Sequence, residues 1–230
     1  MNIYFRLFLI AATSSLLLLN SCKKKLVNSN QFLYSSYYEL KTGKFIEYDV
    51  MEITHDENAS NQHDTSYYQL KCIVEDTFTD NAGRLAFNYV RYKRTNSTEA
   101  WVQSDLWSTT IFNNKAELVE ENQRIVKLIF PISEFTTWNA NQFNTAVKLN
   151  CSYDNLHAPK AISGFSFDST LVVEQEDKRN LIEFKRKYEV YANRVGMVKK
   201  YYKDLQISNF DTLNIKSGKE IFMTLTNFGN

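Results

Sequence analysis

The feature that most constrains this chain is a hydrophobic period of two that returns in segment after segment. Ile46, Tyr48 and Val50 alternate with Glu47 and Asp49, and Tyr68, Leu70, Cys72 and Val74 alternate with Gln69 and Lys71. Phe165, Phe167, Leu171 and Val173 are interleaved with Asp168, Thr170 and Glu174. Successive side chains of a strand point to opposite faces, so each such segment reads as a half-buried strand. The pattern recurs over 85–93, 101–110, 124–130, 146–153, 181–191, 197–202 and 220–226. Together with the first three segments this predicts about eleven strands. Gly43, Gly83, Gly164, Gly196 and Gly218 fall between the runs, where turns are needed.

Two stretches are less regular. Residues 113–123 contain Ala116, Leu118 and several glutamates, which suits a helix, but they lead directly into Arg124–Phe130 and are read as strand and hairpin. Pro131, Trp138 and three asparagines predict a long loop or helical turn over 131–144, crossing the mouth of the sheet. So many strands must hide their edges. The expected fold is therefore mainly β, a single antiparallel, strongly curved sheet closing as a half-barrel, barrel or sandwich, with sequential hairpins forming a meander.

The first residues follow another logic. Met1–Arg6 form a short positive head, Leu7–Leu19 an apolar core, and Asn20-Ser21-Cys22 a small-residue junction before three lysines. The apolar run is shorter than the roughly 20 residues that span a bilayer and has the length of a secretory signal core. The organisation expected is a signal peptide over 1–21, a cysteine and polar tether over 22–34, and a single β-rich domain over 35–230. The mature chain keeps 209 of 230 residues, enough for one substantial core.

Charge excludes one large class of partner. The precursor carries 27 basic and 26 acidic side chains, and Arg6 leaves with the signal, so the mature side chains balance. Nucleic acid demands a basic face that displaces counterions. Here Lys185-Arg186-Lys187 and Lys199-Lys200 are interleaved with Glu183, Glu189 and Asp204 and read as solvated strand faces.

Candidate chemistry is sparse. Cys72 and Cys151 both lie on apolar alternations, and in an oxidising compartment they are either a disulfide or two buried thiols. His55-Asp56-Glu57 and His63-Asp64 have divalent-ion ligand types, but Asn58, Ser60, Asn61 and Gln62 between them are loop residues. A solvated hairpin loop is expected there and no metal is assigned; His157 reads as a lone loop histidine. Ser163-Gly164 and Ser217-Gly218 suit strand turns better than a nucleophile elbow, and three histidines offer little material for a triad. Glu117, Glu120 and Glu121, or Glu174, Glu176 and Asp177, are the carboxylates that a glycan-cleaving pair would draw on. Turn and strand-end positions explain them more simply. No phosphate-cradling glycine loop occurs, so no cofactor is expected. Trp101, Trp107 and Trp138, with Tyr37, Tyr38, Tyr67, Tyr68, Tyr201 and Tyr202, supply amphipathic rings that fill a barrel or contact sugar or lipid.

Several motifs carry resemblances. Leu19-Asn20-Ser21-Cys22 resembles the lipobox of bacterial lipoproteins at its leucine, serine and cysteine. That resemblance implies cleavage before Cys22 and acylation of its thiol, and two or more acyl chains hold a protein stably on a bilayer. Lys23 is not the aspartate that retains such proteins in the inner membrane, which implies the outer membrane. Surface-exposed Bacteroidota lipoproteins often carry acidic residues after the cysteine, so the basic Lys23-Lys24-Lys25 implies the periplasmic side. Tyr38–Tyr48, Tyr191–Lys199 and the middle stretches Glu120–Pro131 and Trp138–Asn141 resemble an uncharacterised family of Bacteroidota outer-membrane or periplasmic lipoproteins. The resemblance implies a β-rich curved sheet and a lipoprotein life, and imports no activity. Asp168-Ser169-Thr170 and Asp211-Thr212-Leu213 resemble O-glycan acceptor triplets of exported Bacteroidota proteins, which marks Ser169 and Thr212 as candidate glycan sites. The expectation is a non-enzymatic envelope lipoprotein that binds a small apolar ligand or an envelope protein, with a glycan-active hydrolase as the alternative.

Overall fold

The computed structural model describes residues 35–230; the expected signal peptide, Cys22 and the expected tether lie outside the described residues. Twelve antiparallel strands form one nearly closed, barrel-shaped sheet. They are β1 (Phe45–Asp56), β2 (His63–Thr79), β3 (Leu85–Arg94), β4 (Val102–Phe112), β5 (Lys115–Glu120) and β6 (Gln123–Ile129), then β7 (Thr137–Asn139), β8 (Asn150–Ile162), β9 (Phe165–Arg179), β10 (Glu183–Ala192), β11 (Gly196–Ser208) and β12 (Asp211–Gly229). Each strand pairs with its sequence neighbours, except β6 with β7, and β1 also pairs with β12. A 3-10 turn over Ser36–Tyr38 precedes β1.

Tight turns explain much of the meander. Asn113-Asn114, Glu121-Asn122, Ser163-Gly164 and Asn209-Phe210 each join two strands with both residues at positive φ. That geometry matches the right-handed twist of the flanking strands. The hairpin reading of residues 113–123 is thus correct.

The free edges of the sheet are β6 and β7, and residues of β7, of the segment just after it and of β8 bridge the gap to β6 with side chains as well as backbone. Val126 N donates to Ala140 O at 2.9 Å, and Trp138 Nε1 donates to Val126 O at 2.9 Å. The Tyr153 hydroxyl donates to Ile129 O and accepts from Ile129 N, both at 2.8 Å. Unpaired edge groups are thereby satisfied instead of being left as a template for another chain.

Buried side chains form two clusters. One surrounds the seam and includes Val126, Leu128, Trp138, Cys151, Tyr153, Leu171 and Tyr191. The other includes Tyr48, Val50, Leu70, Cys72, Val198 and Leu225. Each large apolar side chain removed from water contributes about 1.5–3 kcal/mol.

Several expectations are corrected. The strand expected over 146–153 starts only at Asn150 and continues to Ile162, because positive φ at Asn155 and His157 and a register shift after Asp154 hide its second half from simple alternation. His157 is therefore a strand residue, bonded through Nδ1 to the Tyr37 hydroxyl at 2.8 Å. His55 is likewise in β1 and buried, not in a solvated loop, since the strands extend almost to the hairpin tip. Ser217 and Gly218 lie inside β12 and not in a turn. Gly218 is there for close approach: at φ +134° a Cβ would lie 2.2 Å from Asp204 O on β11.

Candidate functional site

A cavity of about 120 Å³ lies inside the barrel, lined from β1 to β6 and from β10 to β12, with Tyr38–Leu40 reaching it from the 3-10 turn. Ile46, Leu70, Val74, Leu118 and Met223 form much of its apolar wall. Charged groups face them: Glu120, Lys127, Glu189 and Lys200, with Tyr38 and Tyr191 beside them.

How a lysine comes to point inward is a matter of register. Ala116 pairs with Leu128 and Glu117 with Val126, so Lys127 is the extra residue of a β-bulge on β6. Bulges re-aim side chains. Strict alternation puts Lys127 on the face opposite Val126 and Leu128; the bulge instead brings its ammonium 2.6 Å from Glu189 Oε1. The Tyr191 hydroxyl donates to Glu189 Oε2 at 2.7 Å, and Lys200 Nζ stands 4.0 Å from Oε1, beyond hydrogen-bond reach.

Glu189 is only 1% exposed. Burial pulls its carboxyl upward, but the Lys127 and Lys200 charges and the hydrogen bonds outweigh burial and hold it at about 2. Lys127 moves the complementary way: desolvation lowers it, and Glu189 more than offsets this, leaving the ammonium above its ordinary range. The pair is an ion pair at every physiological pH. Burial also pushes the Tyr38 hydroxyl up to about 12; it shares a hydrogen bond with Thr109 Oγ1 at 2.9 Å.

Among the residues singled out from the sequence, only some meet at this site. Of the six candidate carboxylates, Glu120 alone lines the cavity. Glu117 is held by Arg84 at 3.1 Å and Arg124 at 3.6 Å, and Glu176 by Lys187 at 2.8 Å. Glu174 and Asp177 pair with Arg186, and Glu121 accepts from Trp107 Nε1 at 3.3 Å. Trp138 packs in the seam, whereas Trp101 and Trp107 lie beneath the guanidinium groups of Arg94 and Arg91, each 4.1 Å from the ring centre. Cys72 and Cys151 are free thiols in different clusters, so the candidate disulfide is not formed. Burial raises both, Cys151 to about 12, which keeps them protonated.

The two histidine motifs converge more than expected: His55 and His63 face each other across β1 and β2 with Nδ1 atoms 2.8 Å apart, and His55 Nε2 lies 3.0 Å from Glu220 Oε1. Among the described residues no group of three or more His, Cys, Asp and Glu side chains is placed to hold a metal ion. Ser169 shares a 2.7 Å hydrogen bond with the Tyr37 hydroxyl, while Thr212 sits half-exposed at the start of β12.

Lys127, Glu189 and Lys200 were not legible as a site. Lys127 is hidden by its bulge, and Glu189 and Lys200 sit in runs of mixed charge that look solvated. The one available signal is the unbroken run Val190-Tyr191-Ala192 after Glu189, which departs from alternation.

No protein-family model matches this chain, and no curated protein matches it. Among solved structures, the chain is similar to the crystal structure of a "putative lipoprotein" from Parabacteroides distasonis ATCC 8503, at 11% identity and a TM-score of 0.41, over 84% of this chain and 98% of that one.

Proposed function

We propose that this chain is an envelope lipoprotein, acylated on Cys22 and held on the periplasmic side of the outer membrane, whose barrel carries a small amphipathic molecule without transforming it. The cavity is the observation that carries the binding role: a concave apolar wall faces a preorganised polar cluster, the usual composition of small-molecule sites. The lipobox and Lys23 support the anchor and its location.

The rival, a glycan-active hydrolase, needs one carboxyl kept protonated near neutral pH as general acid. Glu189 is held at about 2 and therefore cannot donate that proton, and Glu117, Glu174, Glu176 and Asp177 are committed to cations.

Two measurements test the carrier role. Native mass spectrometry of protein extracted from its own envelope is expected to show a retained small molecule. Saturation-transfer NMR with isoamyl alcohol, a small neutral amphiphile, is expected to show contact that Val74→Phe abolishes by filling the wall. An interior that retains nothing and transfers nothing to the alcohol overturns the proposal.

A further inference from the structure

We infer that the cavity takes a zwitterion with a small apolar body, the class of an aliphatic α-amino acid, with its carboxylate on Lys200 and its ammonium on Glu120. The inference rests on the carrier role proposed for the same cavity and specifies its ligand.

The argument is an accounting of charge. Both oxygens of Glu189 are already taken, by Lys127 at 2.6 Å and by Tyr191 at 2.7 Å. Of the other cations lining the cavity, Lys44 is bound to Glu39 at 2.6 Å and Arg91 to Asp105 at 3.3 Å. Two charged side chains are left over. Lys200 faces the Glu189 charge at 4.0 Å but donates no hydrogen bond among the described residues. Glu120 lines the same space with the Lys127 charge nearby but no hydrogen bond among the described residues.

One cation and one anion that have charged neighbours but no hydrogen-bond partner among the described residues define the complementary ligand. A simple carboxylate would satisfy Lys200 and add a like charge near Glu120; a simple amine would do the reverse at Lys200. Like charges brought together away from bulk water are costly, so each single-charge ligand gives back part of what it gains. A zwitterion satisfies both groups and leaves the neutral balance of the cluster unchanged. Size narrows the class further. About 120 Å³ is well below the roughly 300–1,000 Å³ of sites for drug-sized ligands, and the wall of Ile46, Leu70, Val74, Leu118 and Met223 suits a short branched alkyl group.

Calorimetric titration of the full-length protein with four molecules of similar alkyl shape tests this: L-leucine, isocaproate without the ammonium, isoamylamine without the carboxylate, and neutral isoamyl alcohol. Leucine is expected to bind at least tenfold more tightly than either singly charged analogue. Lys200→Met should bring leucine down to the level of isoamylamine, and Glu120→Gln should bring it down to the level of isocaproate, with the circular dichroism of both variants unchanged. Equal binding of leucine and a singly charged analogue overturns the inference, as does leucine binding that survives Lys200→Met. If the alcohol binds and leucine does not, the zwitterion assignment fails while the carrier role stands; if none of the four binds, the zwitterion assignment fails, and the carrier role falls with it when protein from its own envelope also retains nothing.

Discussion

At the scale of single residues the buried Lys127–Glu189 pair dominates. Taking two charges out of water costs several kcal/mol per ion, and the pair persists because Tyr191 and the short contact complete its bonding. Removing one partner strands the other, so Glu189→Gln is expected to lose about 3–5 kcal/mol at pH 7, read as a lowered urea midpoint. The pH dependence has a definite sign. The Glu189 carboxyl falls from its ordinary 4.5 to about 2 on folding, so its stabilising contribution is present above pH 4.5 and drains away as pH falls toward 2. The gap between wild type and Glu189→Gln should therefore narrow over that interval, and a gap that stays constant would count against the pair. Gly218 presents a steric case instead. At φ +134°, with Asp204 O only 2.2 Å from where a Cβ would sit, Gly218→Ala must displace β11 from β12. A strained backbone of this kind costs about 1–3 kcal/mol before the clash is counted, so the thermal midpoint should fall markedly.

At the scale of elements the seam between β6 and β7 is the point where the barrel is held by a few bonds in place of a full ladder. Tyr153 supplies two of them, to the N–H and the carbonyl of Ile129. Tyr153→Phe keeps the ring and deletes both, which should cost about 1–3 kcal/mol for each buried group left unsatisfied. Hydrogen exchange should accelerate over 124–130 and leave the β1–β12 pairing protected; uniform acceleration would show that the seam is not a separable unit. This region also marks the limit of what the sequence reveals. Period-two alternation exposes β1, β2, β3 and β9 because one face of each is buried, and glycines such as Gly83 and Gly164 disclose turns between strands. It cannot reveal a three-residue strand such as β7, whose existence depends on β8 beside it. Nor can it reveal a bulge, since Lys127 differs from an outward lysine only by a register that the partner strand sets. Ile46, Leu70 and Val74 of the cavity wall are readable for the same reason that the fold is, and of its central charges only Glu120 stands out in the sequence.

At the scale of the whole molecule β1 and β12 join the two halves of the sheet and the barrel closes at the β6–β7 seam, around the core and cavity described for residues 35–230. The proposed anchor at Cys22 precedes all of this. Nothing in the packing of the described residues depends on an acyl group, so attachment and ligand binding should be separable functions. Two acyl chains give stable attachment because each buried methylene contributes about 0.8 kcal/mol, whereas a polar tether without them has no comparable hold on a bilayer. Cys22→Ser is accordingly expected to abolish labelling by radioactive palmitate and to move the protein from the membrane pellet to the soluble fraction. Its urea midpoint and its titration with isoamyl alcohol should match those of wild type. A variant that still takes up label, or still sediments with membranes, would place the anchor elsewhere. One that loses its midpoint along with its lipid would show instead that the bilayer helps to hold the barrel closed.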